Sequence, residues 1–199
     1  TDGETDETAE VGARRRINGR IAAALELFVS AARSGSHVIT ARDFTAVPKR
    51  HGIAHATFGT ALGTPVALET AQAIDRAAEN AFVPLDLSTV GAAYAVVRAP
   101  EARIESGDVT AGAVKEGFAE WKAERGLRNA VGMSKLVAAP DAESLDVLVV
   151  LGGFDLDPLL SPFWELYEHE KETVRESDFG PDKAEIDRLE ENLDQYRSG

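Results

Sequence analysis

The stretch SLDVLVVLGG, residues 144–153, constrains the fold more than any other part of the chain. It is a nearly continuous run of Val and Leu broken only by Asp146. A short β-branched run of this kind reads as a strand, and its lack of polar alternation places it centrally in a sheet. It is far shorter than the roughly 20 apolar residues needed to cross a bilayer, and no other run reaches that length, so no direct membrane insertion is expected. The preceding run, AVGMSKLVAA (130–139), also reads as a strand. PDAE (140–143) joins the two, with Pro at the start of a plausible turn. The pair is therefore expected to form a hairpin at the end of the domain.

Working backwards, strand and helix patterns alternate. AAYAVVRA (92–99) is a β-branched, mostly apolar strand, and IAHATFGTAL (53–62) reads as another. Between them, a helix is expected over 66–81, with Pro65 suited to its first turn and Ala71, Ile74, Ala78 and Phe82 on its buried face. A second helix is expected over 109–125, opened near Thr110, with Val114, Phe118 and Trp121 at i, i+4 and i+7. A long helix over 13–34 comes first. Ile17, Ile21, Leu25 and Phe28 make its apolar stripe, and Gly35 ends it. The order after that helix is β-α-β-α-β-β. This predicts an α/β (α+β) two-layer sandwich, a four-stranded sheet with helices packed on it and a long central helix in front.

The flanks read differently. TDGETDETAE (1–10) is acidic and poor in aliphatic residues, which predicts disorder or a linker. The expected organisation is an acidic disordered linker over 1–12, the long helix over 13–35, an α/β domain over 36–156, and helices or tail over 157–199. In the last part, Leu160, Phe163, Trp164 and Tyr167 form one stripe, expected to pack back on the domain. Ile186, Leu189, Leu193 and Tyr196 form a second. That stripe either packs on the domain or binds a partner helix or groove.

Charge narrows the function classes. The net charge is −13, which argues against nonspecific nucleic-acid binding, since that relies on clustered Lys and Arg. Of 21 basic residues, 15 are Arg and 6 are Lys. An acidic, Lys-poor chain suits a halophile, because at molar salt the screening length falls to about 3 Å and surface carboxylates repel little. Absence of Cys rules out disulfides and thiol chemistry and fits a cytoplasmic protein. The first residues carry no basic start or apolar stretch, so no signal peptide is read there. His51 and His55 have the i, i+4 spacing that suits zinc only on a helix, and their strand-like setting disfavours a metal site. In FDLDP (154–158) Asp157 is expected to cap the next helix. No G-x-S-x-G elbow or Gly-rich phosphate loop occurs, so the chain is not expected to be an independent enzyme.

Four places together resemble the C-terminal half of the FtsZ/tubulin superfamily. They are the long helix with Asn18 near its start, DFTAV (43–47), GIAHATFGTALG leading to ALETAQAIDRAAENAFVPLDLSTVGAAYAVV, and VGMSKLVAAPDAESLDVLVVLGGF. Together they run from about residue 14 to residue 154, and the halophilic composition points to a haloarchaeal FtsZ-like or CetZ-like member. The resemblance implies a cytoskeletal protein that assembles filaments for cell division or cell shape. It makes DFTAV the counterpart of the family's Asp-Phe-Ala-Asp-Val synergy loop, which enters a neighbouring subunit's nucleotide pocket and orients the attacking water. Asp43 then stands for the first acid, and the second falls on Ala46, which cannot orient water; weak or absent GTP hydrolysis is implied. Asp43 also reads simply as a helix N-cap. Asn18 would contact guanine by the same resemblance, or be a surface Asn. GTP itself would be held outside this chain, since the GGGTGSG-type loop is missing. The implied partners are the protein's own N-terminal GTPase domain, neighbouring FtsZ-like subunits and, through Ile186, Leu189, Leu193 and Tyr196, a SepF-like membrane anchor. The alternative is a small α/β regulatory or protein-binding module that forms no filaments.

Overall fold

The computed structural model describes the backbone of residues 2–33 and 54–176. It divides into two units, Thr1–Asp155 and Leu156–Gly199. The first unit holds helix α1 (Asp2–Arg33), strand β1 (Ala56–Thr64), helix α2 (Thr70–Glu79), strand β2 (Ala92–Pro100), the short helix α3 (Glu101–Glu105), helix α4 (Ala111–Glu124), and strands β3 (Val131–Ala139) and β4 (Leu145–Gly152). The second unit contains helix α5 (Asp157–Glu176), which has Pro158 in its first turn and the Trp164 and Tyr167 rings edge to face 6.3 Å apart. The expected element order is found, with most boundaries moved by a few residues. The start of α1 moves furthest, from 13 to Asp2; at α2, Pro65 lies ahead of the helix, in a turn closed by Leu68 N–H on its carbonyl, and Glu69 is the N-cap. Phe82 lies beyond α2, with its ring 4.7 Å from that of Phe58.

The four strands form one sheet in the order β1-β4-β2-β3. β4 pairs antiparallel with both β1 and β2, and β3 pairs parallel with β2. The expected hairpin of β3 with β4 is therefore not formed. β4 does lie centrally, as its apolar run requires, and a central strand takes two partners. Those partners are β1 and β2, so β3, with Ser134 and Lys135 in mid-strand, is left at the edge. The connection over 140–144 is long enough for this arrangement. Two strand spacings are about 10 Å, and five extended residues reach about 16 Å.

Alternation along β4 sorts the core into two faces. Leu148 and Val150 pack with Val96, Val137 and Phe58 under α1, whose Ala24, Leu27 and Ala31 are buried there. Val147, Val149 and Leu151 are fully buried on the opposite face. Gly59 pairs with Val149 and shares that face; a Cβ at Gly59 would lie 2.0 Å from the Ala77 carbonyl oxygen of α2. α2 rests directly on the β1 backbone at this point, and only glycine leaves room. Gly117 of α4 allows a similar approach to Thr70 and Ala71 at the start of α2. Asp75 ties the two helices together, accepting from Trp121 Nε1 at 3.0 Å and Arg125 Nε at 2.7 Å. Val114, Phe118 and Trp121 are buried as expected, and Thr110 caps α4 by accepting from Ala113 N–H at 3.1 Å.

One expectation for α1 needs correction, and its apolar stripe needs refinement. The acidic segment read as disordered is helical from Asp2 onward. Carboxylates at a helix N-terminus are favoured by the macrodipole, and Ala and Glu are good helix formers, so low aliphatic content does not prevent the helix. The stripe of Ile17, Ile21, Leu25 and Phe28 is divided: Ile21 and Phe28 are half-buried, with Phe28 packed against the core, and Ile17 and Leu25 are exposed. Leu27 is 1% exposed, whereas Leu25 is 59% exposed and Ile17 45%. Ala24 and Ala31 flank Leu27 at i−3 and i+4, and this shallow surface lets the helix approach the sheet closely. The larger stripe sits to one side.

Candidate functional site

Polar contacts at three levels fix α1 on the sheet. Just past the helix midpoint, Arg20 lies over the Phe82 ring at 4.5 Å and donates to the Asn80 carbonyl. Further along, Glu26 accepts from Arg98 Nη1 at 2.6 Å. Arg98 also grips Asp146, through Nη2 at 2.7 Å and Nε at 3.2 Å, and Asp146 accepts from Gly63 N–H at 2.9 Å. The Asp146 hydrogen bond, then Glu26, holds the Arg98 guanidinium above its ordinary pKa against the opposing effect of burial. Near the C-terminal end, Lys135 donates to the Ala31 carbonyl, one of those left without an intrahelical partner there. Burial pushes the Lys135 pKa down.

Pinned in this way, α1 presents a defined outer surface. Ile17, Ile21, Leu25 and Val29 follow one another at i+4 spacing. Asn18, Leu25 and Val29, at i, i+7 and i+11, share one face. Ile17, Leu25 and Val29 are exposed, as is Asn18, with Arg14, Arg15 and Arg16 exposed close by in sequence. Between this stripe and the sheet runs an apolar groove of about 230 Å³, lined by Ile21, Leu25 and Phe28 of α1, Ala56 and Phe58 of β1, and Leu148 and Val150 of β4. Fully burying a Leu or Val side chain contributes about 1.5–3 kcal/mol, so this surface can supply substantial binding energy to a partner. It carries apolar groups and an amide, and its chemistry is that of an interface.

Of the residues singled out in the sequence, Asn18 lies on this surface. Asp43, Ala46, Ile186, Leu189, Leu193 and Tyr196 lie outside the described residues. His55 is at the start of β1, its Nε2 2.6 Å from the Phe154 carbonyl and its ring edge-on to Phe154. The segment preceding β2 is locally built: Asp86 caps Leu87–Thr89 by accepting from Ser88 N–H at 2.9 Å and Ser88 Oγ at 2.7 Å. Those two bonds hold the Asp86 carboxyl below its ordinary pKa. Thr89 Oγ1 in turn accepts from Asp155 N–H at 3.0 Å. Sequence reading missed the groove and the Arg98 clamp. The signal available for the clamp was a charged residue inside each of two apolar strands, Arg98 in β2 and Asp146 in β4. Among the described residues no helix is long and apolar enough to cross a membrane.

No protein-family profile and no curated protein matches the chain. Among solved structures it is similar to an FtsZ from M. jannaschii, determined as an empty dimer. The identity is 21% and the TM-score 0.52, over 65% of this chain and 36% of that one. It is also similar to the CetZ from Methanosaeta thermophila, with 14% identity and a TM-score of 0.59, over 94% of this chain and 50% of that one. The chain thus spans half the length of these proteins or less. At such identities the likeness is one of fold, and the fold expected from the four sequence regions is the one present: an α/β domain with a four-stranded mixed sheet and a long leading helix, like parts of FtsZ and CetZ.

Proposed function

We propose that this chain is the C-terminal, polymerisation half of a cytoskeletal protein of the FtsZ or CetZ type, acting in filament assembly for cell division or cell shape in the cytoplasm of a haloarchaeon. The observation that carries the reading is α1: a long helix fixed across the β1-β4-β2-β3 sheet, with an apolar stripe of Ile17, Leu25 and Val29 turned outward. The similarity in fold to FtsZ and CetZ supports it. In this reading the stripe packs against the protein's own N-terminal GTPase domain, and Asn18, on the same face, contacts the guanine held there. Neighbouring subunits associate end to end. The tail stripe of Ile186, Leu189, Leu193 and Tyr196 takes a SepF-like membrane anchor.

Hydrolysis in such filaments is slow, on this proposal, because Ala46 stands where the synergy loop's second acid would orient water. A missing water-positioning group lowers rates roughly 10²- to 10⁴-fold. In the full-length parent, GTP-dependent pelleting is expected, this chain is expected to co-pellet with the polymer, and Leu25→Asp is expected to abolish assembly. A parent that forms no polymer with any nucleotide, at low or molar salt, would overturn the reading. Ala46→Asp should raise GTP turnover in the parent. Ample wild-type turnover with no rise in the variant would remove the slow-hydrolysis part alone.

A further inference from the structure

A second groove lies on the opposite face of the sheet, between α4 and β3. Its volume is about 430 Å³, and Lys115, Phe118, Lys122, Arg128, Gly132 and Ser134 are among the residues that line it. The groove exists because small residues face each other. Ser134 pairs with Ala95 and so points to the α4 side, while Ala119 and Ala123 line the helix side. Gly132 pairs with Ala93, and a Cβ there would lie 1.6 Å from the Ala93 carbonyl oxygen, so glycine is needed where β3 runs tight against β2. Its charge is out of character for the protein. The chain carries 34 acidic and 21 basic residues, yet among the described residues the lining holds three cations and no carboxylate. Glu116 and Glu120 of α4 are exposed and are not part of the lining.

The same groove borders the β3 edge of the sheet, with which no further described strand pairs. Among the described residues β3 pairs with β2 alone, and Val131 N–H donates to the Gly91 carbonyl at 2.9 Å. In a parallel ladder the residues that bond to one neighbour alternate with residues that face away. The amides and carbonyls of Gly132 and Ser134 therefore face outward, at two strand positions that line the groove. Unpaired strand edges accept an added strand, and the flanking charges choose which one.

We infer that this groove binds an extended acidic peptide segment of a partner protein. The segment adds as a strand outside β3, pairing with Gly132 and Ser134, and its carboxylates meet Lys115, Lys122 and Arg128. This site is distinct from the α1 surface and does not depend on the filament reading.

The test uses the purified chain and a labelled peptide of alternating glutamate and valine, with fluorescence anisotropy as the readout. The glutamate peptide should bind, and its lysine counterpart should not. Lys115→Glu combined with Arg128→Glu, both at exposed positions, should weaken binding at least about tenfold. Molar salt should weaken it as well. Ser134→Pro removes an outward N–H without touching the ladder to β2, as an edge position tolerates, and should also weaken binding. Amide exchange at Gly132 and Ser134 should slow in the complex. Equal binding of both peptides, binding without that protection, or no binding at low salt would each overturn the proposal. Tighter binding of a short oligothymidylate than of the peptide would show that the groove reads phosphate, and would overturn it too.

Discussion

Two leucines on α1, two positions apart, test how this helix is seated. Leu27 is 1% exposed and packs on Val96, Val137 and Leu148, whereas Leu25 is 59% exposed. Leu27→Ala removes a buried isobutyl group and leaves a cavity between a helix and a sheet that polar contacts hold at three levels. Such substitutions cost 2–5 kcal/mol, and the restricted collapse here places the expected cost at about 3–4 kcal/mol. For a chain of this size, each kcal/mol lowers Tm by about 2–4 °C, so a fall of about 6–15 °C is expected. Leu25→Ala should cost about 0.5 kcal/mol or less, as surface substitutions do. The assay is urea unfolding followed by fluorescence of Trp121, which is buried in the first unit, in a Trp164→Phe background so that α5 does not contribute. All variants are measured at one salt concentration. The m value should stay constant while the midpoint moves. Equal losses for the two variants, or a larger loss for Leu25→Ala, would refute the seating of α1 and with it the outward stripe.

Three further outcomes follow from the same contacts. Gly59→Ala should destabilise by about 1–3 kcal/mol or more, since its methyl would lie 2.0 Å from the Ala77 carbonyl oxygen; unchanged denaturant stability would count against the close approach of α2 to β1. Asp146→Ala should cost about 1–3 kcal/mol in the same assay, because Arg98 and Gly63 N–H both lose an acceptor that Glu26 replaces only in part. Asp86 should titrate below the usual Asp value of about 3.9 because Ser88 hydrogen-bonds its charged form. Its contribution to stability is then complete above that usual value and is lost as pH falls through the depressed one. Ser88→Ala should move the Asp86 carboxyl resonance midpoint upward by NMR, and an unmoved midpoint would show that the hydroxyl has no such role.

The kinds and order of the elements were legible in the sequence because both depend on local spacing. Val114, Phe118 and Trp121 at helical spacing, and the unbroken run of β4, each carry their own signal within a few residues. The candidate surfaces were only partly legible. The α1 stripe was found, but the side it turns to was not. Periodicity reports which residues share a face, and what covers that face depends on how near Ala24, Leu27 and Ala31 let the sheet come. Asp43, Ala46 and the tail stripe lie outside the described residues, so their roles stay with the proposed function.

The amino-acid sequence by itself determined an α/β chain with a central apolar strand, a leading helix and an acidic surface, since burial pattern and charge are properties of each segment. Tertiary structure alone decided that β4 enters between β1 and β2, that β3 is left at the edge beside a basic groove, and that Ile17, Leu25 and Val29 of α1 face outward while Leu27 is buried. The physical reason is that strand pairing and helix seating are settled between segments far apart in the chain. There, competing partners differ in total buried area and hydrogen bonding, and no local spacing records which of them wins.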